Sequence, residues 1–328
     1  MKTYRIPHTD LVVSRLAFGC AMLSVDWSDS ELLAKTVAVI TKAYEQGITL
    51  FDLADMYGHG QAELALGQVL RQNPGLRNRI VIQSKAGDRF GDGYTVDNSQ
   101  NHIVSAIENT LRRLGTDQLD VFLLHWPDNL VEPHGVAAAF DALSTAGKVR
   151  YFGVSNHSPY QIELLQKFVR QRLVINQIRL GVAHWHVAAE PFKAAVTHGY
   201  EGAATLDYCR VHEIQVQAYS PLKSGPLTGK ASSLLHVTGD EPAVVKRANK
   251  TLMEIAGRHK VTPEAIMLAW LLRHPAEIVP IIGTSRVDHL VQDCAADHVE
   301  LSRQEWYSLL QAAAAVESDA RPAPWNPF

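Results

Sequence analysis

Short apolar runs alternate with stretches of helical spacing along the whole chain, and the pair recurs about every 30–40 residues. That alternation permits few folds, because a strand followed by a helix returns to its sheet parallel to the strand before it. A hairpin comes first: Thr3 to Ile6 and Leu11 to Val13 flank the turn-forming Pro7-His8-Thr9-Asp10. Strands are then predicted at 16–18 and from Ile48, Arg79, Leu119, Val149, Val174, Ile214 and Ile278. Helices are predicted over 31–46, 61–71, 101–114, 134–146, 161–169, 200–212, 242–259 and 263–273, with two more starting near Val287 and Arg303. Gly47, Gly115 and Gly147 each stop a helix, as a residue free to turn left-handed does.

The count comes to about eight strand–helix units, which suggests a (β/α)8 barrel, with a doubly wound parallel sheet as the competing architecture. No Gly-x-Gly-x-x-Gly follows the first strand, which disfavours the Rossmann form of that sheet if a dinucleotide is involved. No composition break or low-complexity stretch divides residues 1–328, so a single domain is expected. The loop 220–240 is rich in Gly, Ser and Lys, and at that length reads as functional.

Composition narrows the function classes. Apolar residues make up 46% and charged residues 20%, which is a globular balance. Lys and Arg total 31 against 34 Asp and Glu, for a net charge of −3, so no nucleic acid or anionic membrane is expected as a partner. Cys20, Cys209 and Cys294 lie far apart, with no Cys-x-x-Cys, and form neither a disulfide framework nor a metal cluster. The N-terminus lacks a signal-peptide core and no apolar run is long enough to span a bilayer. A cytoplasmic protein acting on a small molecule is the expectation.

In a barrel the reacting side chains stand at the C-terminal ends of strands. Those ends carry Asp52, Asp55 and Tyr57, then Ser84-Lys85, His125-Trp126, Ser155-Asn156, Asn176-Gln177, Tyr219-Ser220 and Gly283-Thr284-Ser285-Arg286. A lone His or Lys there reads as a solvated strand end. An Asp, a Tyr, a Lys and a His on three consecutive strands would meet at one mouth. A tyrosine is too weak an acid near neutral pH unless perturbed, and a nearby ammonium favours its phenolate. An aspartate would hold the lysine, and a neutral histidine could bond the reacting oxygen. Together they can protonate a developing alkoxide, as carbonyl reduction needs. Lys85 could instead form a Schiff base, and a metal-dependent barrel is a third possibility, though only Asp52 and His125 stand out as ligands.

The strings FDLADMYG, IQSKAG, LLHWPD, GVSN, NQ, AYSPL and PIIGTSR, in that order, resemble the aldo-keto reductase superfamily. The resemblance runs from RIPHTDLVVSRLAFG to the helix after Arg286 and is nearest to the bacterial general-oxidoreductase type, including the YdhF-like group. It implies a (β/α)8 TIM barrel with the N-terminal hairpin closing the bottom and two extra helices. It also implies reversible, metal-free NADP(H)-dependent reduction of an aldehyde or ketone. The catalytic tetrad falls on Asp52, Tyr57, Lys85 and His125. Tyr57 is the acid in reduction, Lys85 lowers its pKa, Asp52 partners the lysine and His125 orients the carbonyl.

By the same resemblance Ser155, Asn156 and Gln177 hold the nicotinamide carboxamide and Tyr219 stacks on its ring. Ser220, Leu222, Gly225 and Lys230 follow the pyrophosphate. Gly283, Thr284 and Arg286 match the 2′-phosphate site, and Gln292 lies at the adenine end, where Gln292-Asp293 replaces the common Glu-Asn. Leu53 stands where Thr is common. Trp27, Trp126 and Trp185 are expected to wall the substrate pocket, which favours an apolar or aromatic aldehyde. A slowly turning-over NADP-binding regulatory subunit and a lysine-dependent Schiff-base lyase remain as rivals.

Overall fold

The computed structural model describes residues 1–23, 30–90, 93–182, 205–222 and 243–320. A two-stranded antiparallel hairpin opens the chain, β1 (Thr3–Arg5) paired with β2 (Val12–Ser14). Eight strands follow that pair in parallel and close on themselves. They are β3 (Ala17–Gly19), β4 (Leu50–Asp52), β5 (Val81–Ala86), β8 (Leu119–Leu124), β9 (Val149–Ser155), β10 (Leu173–Arg179), β11 (Gln215–Tyr219) and β12 (Val279–Ile282). The ring closes where Ile281 and Ile282 of β12 pair with Ala17 and Phe18 of β3.

Helices α1 (Ser30–Glu45), α2 (Gln61–Gln72), α3 (Gln100–Leu114), α4 (Pro133–Thr145), α5 (Pro159–Gln166), α6 (Thr205–Val211), α7 (Ala243–His259) and α8 (Pro263–Leu272) run between the strands. Helices α9 (Val287–Cys294) and α10 (Arg303–Ala320) come after the last strand. The (β/α)8 barrel expected from the alternation is therefore the fold. Residues 200–204 of the predicted sixth helix lie outside the described residues.

Local chemistry sets the helix ends. The Ser99 hydroxyl accepts from the His102 N–H at the start of α3, and Gly115 ends that helix at φ +68°. A reciprocal Ser158/Gln161 capping box with Pro159 in the first turn starts α5. The Thr262 hydroxyl followed by Pro263 does the same for α8.

The apolar residues sort into two layers. Alternate strand positions point inward, so Ala17, Leu50, Val81, Val121, Leu123, Val279 and Ile281 fill the barrel, joined by the consecutive Val174 and Ile175 where the β9–β10 register shifts. Ile6, Leu11 and Val13 of the hairpin join that cluster, so the hairpin plugs the bottom. Arg15 anchors it from Nε to Asp297 Oδ1 at 2.6 Å, and the Lys2 N–H donates to Asp297 Oδ2 at 3.0 Å. The opposite strand faces pack against the helices in the larger cluster. Trp270 of α8 stacks on Trp306 of α10 at 4.8 Å, each indole N–H donating to the other's carbonyl.

One element was not expected. β6 (Asp88–Phe90) and β7 (Tyr94–Val96) form an antiparallel hairpin directly after β5. Its three-residue arms are too short for a period-2 pattern to register. Among the described residues no helix is long and apolar enough to cross a membrane.

Candidate active site

The upper end of the barrel is polar where the lower end is apolar. Asp52 ends β4, level with Gln83 of β5, and Lys85 stands two residues further along β5 on the same face. The Lys85 Nζ lies 2.6 Å from Asp52 Oδ1, both side chains almost fully buried. The same oxygen accepts from the side-chain amides of Gln83 (2.7 Å) and Gln177 (2.8 Å). Gln217 closes the layer, exchanging amide hydrogen bonds with Gln83 at 2.7 and 2.9 Å and accepting from Gln177 at 3.1 Å. Four strands thus hold one charged pair from the side and below.

Tyr57 reaches the pair from the loop after β4. That loop continues the sheet for a few residues: the Leu53 N–H donates to Gln83 O and the Asp55 N–H to Lys85 O, both at 2.9 Å. The chain then turns, with Tyr57 N–H on Ala54 O, so that the Lys85 ammonium sits 5.1 Å from the centre of the Tyr57 ring. His125, directly after β8, meets Tyr57 edge-on at 6.1 Å between ring centres, and Trp126 stacks on His125 at 6.0 Å. The four side chains predicted for three consecutive strands therefore come together.

Burial dominates the electrostatics of the site. The Tyr57 phenol is pushed well above its ordinary value, chiefly by burial and then by the carboxylate of Asp52. Burial and the Asp52 carboxylate together outweigh the pull of the Lys85 ammonium, 5.1 Å from the ring, while the phenol is at rest. Burial also lowers the Lys85 pKa, against the pull of Asp52. The resting phenol accordingly keeps its proton, as a proton donor must.

The residues assigned to a cofactor form a rim on neighbouring strands. The Ser155 hydroxyl donates to Gln177 O at 2.8 Å. Asn156, left-handed at φ 62°, donates from its amide to His125 O and Ser155 Oγ, both at 3.1 Å, and accepts from the Tyr219 hydroxyl at 2.9 Å. Ser220 also has positive φ, and Leu222 packs half-buried against the outer core. Gly283 is exposed, and a Cβ there would stand 3.4 Å from Gly19 O.

At the start of α9 the Thr284 hydroxyl accepts from the Arg286 N–H, while the exposed Arg286 guanidinium pairs with Asp288 at 2.5 Å. Gln292 is exposed on the same helix and Asp293 buried. Trp126 is half-buried at the mouth. Trp27, Trp185, Gly225 and Lys230 lie outside the described residues. Among the described residues no three His, Cys, Asp or Glu side chains cluster closely enough to hold a metal ion.

Sequence reasoning missed Gln83 and Gln217, and it missed Asp88. Gln83 and Gln217 each stand two residues before a group already singled out, Lys85 and Tyr219, and so share its face. Behind the site, Glu63 of α2 accepts from Ser84 (2.8 Å), Thr110 (2.9 Å) and Arg113 (2.6 Å). That cluster ties the outer face of β5 to α2 and α3 and so fixes the strand that carries Lys85.

An eight-stranded parallel barrel with a lysine–aspartate pair beneath a tyrosine and a histidine has the parts of an acid–base site for a carbonyl oxygen. The chain belongs to the aldo/keto reductase family, which it matches over residues 15–314, and it is an oxidoreductase of that family. It is 34% identical to 6-dehydroglucose reductase of Agrobacterium fabrum over 94% of this chain and 96% of that protein. It is 32% identical to the oxidoreductase YdhF of Escherichia coli over 92% and 93%. A solved aldo/keto reductase from Klebsiella pneumoniae, in complex with NADP and acetate, matches with TM-score 0.70 at 27% identity, over 92% of this chain and 91% of that one.

Proposed function

We propose that this protein reduces an aldehyde or ketone to the alcohol with NADPH, reversibly, and that Tyr57 supplies the proton. The observation that carries the reading is the buried Lys85–Asp52 pair beneath the Tyr57 ring with His125 at its edge. Bound NADPH supplies the hydride.

The remaining groups fit that cofactor. Ser155, Asn156, Gln177 and Tyr219 present hydroxyls and amides along three adjacent strand ends, suited to a carboxamide and a ring. Gly283, Thr284, Arg286 and the N-terminus of α9 suit a phosphate, since backbone N–H groups and a guanidinium fork both favour an anion. Arg286 would exchange its exposed carboxylate partner, Asp288, for that phosphate.

The protein's own residues account for the proton. Burial keeps the Tyr57 O–H protonated until a carbonyl oxygen arrives. As that oxygen gains charge, the phenol gives up its proton, and the Lys85 ammonium stabilises the phenolate left behind. Asp52, Gln83 and Gln177 keep the ammonium in place throughout. His125 hydrogen-bonds the same carbonyl oxygen and fixes its approach. Lys85 is unsuited to Schiff-base chemistry: it is 1% exposed and bonded to Asp52, so no carbonyl carbon reaches Nζ without displacing the pair.

Trp126 stacked on His125 supports an aldehyde with an apolar or aromatic body. The likeness to 6-dehydroglucose reductase supports a hydroxyl-bearing one instead. Specificity constants for benzaldehyde and for a sugar-derived aldehyde decide between them. The reaction itself is tested by following loss of reduced nicotinamide in the wild type and in Tyr57→Phe. The variant is expected to bind NADPH normally and to turn over about 10²–10⁴-fold more slowly. Near-normal turnover would overturn the reading.

A further inference from the structure

The hairpin β6–β7 brings a carboxylate to the far side of the active-site histidine. Asp88, its first residue, places Oδ2 2.5 Å from His125 Nδ1, with side-chain exposures of 1% and 9%. Among the described residues neither atom is aligned with any hydrogen-bond partner. Two buried polar atoms so close and otherwise unpartnered are each costly unless a proton is shared between them.

The carboxylate is built in from its other side as well. Tyr94, across the hairpin, donates its hydroxyl to Asp88 Oδ1 at 2.9 Å. Burial raises the Asp88 carboxyl, but His125, Tyr94 and Lys85 together outweigh it and hold the group ionised. Burial and Asp88 push the Tyr94 phenol up to about 12, so it stays a donor. Among the described residues, Tyr57 meets the ring at its edge, Trp126 lies on its face, Asn156 donates its amide to the His125 carbonyl and Asn98 donates to that of Trp126. None of these offers Nδ1 a negative partner as close as Asp88.

We propose that Asp88, braced by Tyr94, is the positioning residue of His125: it keeps a proton on Nδ1 and leaves Nε2 as the nitrogen presented to the substrate oxygen. This rests on the reading of His125 given under Proposed function. The consequence is specific. With Nδ1–H committed to Asp88, Nε2 carries a hydrogen only in the imidazolium form, since a neutral ring has one N–H. A doubly protonated ring donates from Nε2 a hydrogen bond about twice as strong as a neutral one, whereas a ring protonated at Nδ1 alone accepts at Nε2, as from the product alcohol. The carboxylate lies on a hairpin that the sequence did not reveal.

The test uses the full-length protein labelled with 15N at histidine, alone and with NADP+. The His125 signals are assigned by their loss in His125→Asn. The wild type is expected to show His125 protonated at Nδ1. Asp88→Asn should abolish that preference and lower kcat for carbonyl reduction at least about tenfold, while the affinity for NADPH stays within about twofold. Tyr94→Phe should move both readings in the same direction by less, and it decides the matter if Asp88→Asn fails to fold. A wild-type His125 with its only proton on Nε2, or an Asp88→Asn variant with wild-type nitrogen shifts and kcat, would overturn the inference. Absence of turnover in the wild type would instead overturn the proposed reaction, and the nitrogen shifts would still decide the role of Asp88.

Discussion

The Lys85–Asp52 pair allows stability and turnover to be separated. Lys85→Met removes the ammonium and strands a buried carboxylate, which ordinarily costs about 3–5 kcal/mol. Asp52 retains two amide donors, Gln83 and Gln177, so the lower end of that range, about 3 kcal/mol, is expected. For 328 residues the unfolding entropy is roughly 0.7 kcal/mol per degree, which makes the loss a fall in Tm of about 4 °C. Adding Asp52→Asn removes the stranded charge while keeping an acceptor for both glutamines. The double variant should therefore return to within about 1 kcal/mol of the wild type, because neutral replacements of buried ion pairs are commonly tolerated.

Turnover should not return with it. Without the ammonium, the phenolate of Tyr57 has no counter-charge, and both variants should reduce carbonyls about 10²–10⁴-fold more slowly than the wild type. Calorimetry and loss of reduced nicotinamide on the same preparations give the two readings. A double variant that regains turnover with its Tm would refute the reasoning, since the pair would then be structural only.

Three further outcomes follow. Arg286→Ala should weaken NADPH about tenfold while leaving NADH within about twofold, measured by quenching of intrinsic tryptophan fluorescence; equal weakening would move the phosphate contact elsewhere. Burial pushes the Asp293 carboxyl up to about 7, with Glu264 adding to the rise, against an unfolded value near 3.9. The folded state thus keeps a proton that the unfolded chain loses, so this stabilisation is whole below about pH 4 and is lost as pH rises through 7. Asp293→Asn should flatten the fall in denaturation midpoint between pH 5 and pH 8 and be more stable at pH 8 by up to about 4 kcal/mol; an unchanged slope would contradict the assignment. Finally, Gly67→Ala should lower Tm without changing KM for substrate, because a Cβ there would stand 2.5 Å from the backbone oxygen of Arg113, where α2 crosses α3; a neutral substitution would show that the helices can part.

The strands and helices were legible because each carries its own period. LFD, VIQSKA and LDVFLL are buried along their full length, so a charged or titratable group at or just past the strand's end marks the mouth. Asp52, Lys85 and His125 were found in that way, and Tyr57 by its place in the loop that follows. The glutamine layer was not found. Gln83 and Gln217 bond each other across 134 residues of chain, and a polar residue inside an apolar strand announces no partner. Alternation alone would have placed Gln83 on the face of Lys85 and Gln217 on the face of Tyr219, and that signal was available.

The Asp88–His125 contact lay further out of reach. It depends on a hairpin of three-residue strands, Asp88 paired with Val96 and Phe90 with Tyr94, too short to carry a readable alternation. The dominance of burial at Tyr57 was likewise not legible. A sequence shows that a lysine and an aspartate are near, but not how deeply the phenol is buried between them.

The central claim is that this barrel delivers a hydride from NADPH and a proton from Tyr57 to one carbonyl. The most direct measurement mixes the purified protein with NADPH and each member of an aldehyde panel, and follows oxidised nicotinamide and alcohol together, in the wild type and in Tyr57→Phe. The account predicts alcohol and NADP+ formed one for one by the wild type, and turnover at least about 10²-fold slower in the variant. Equal turnover in the two proteins would contradict it, as would NADPH oxidation without alcohol.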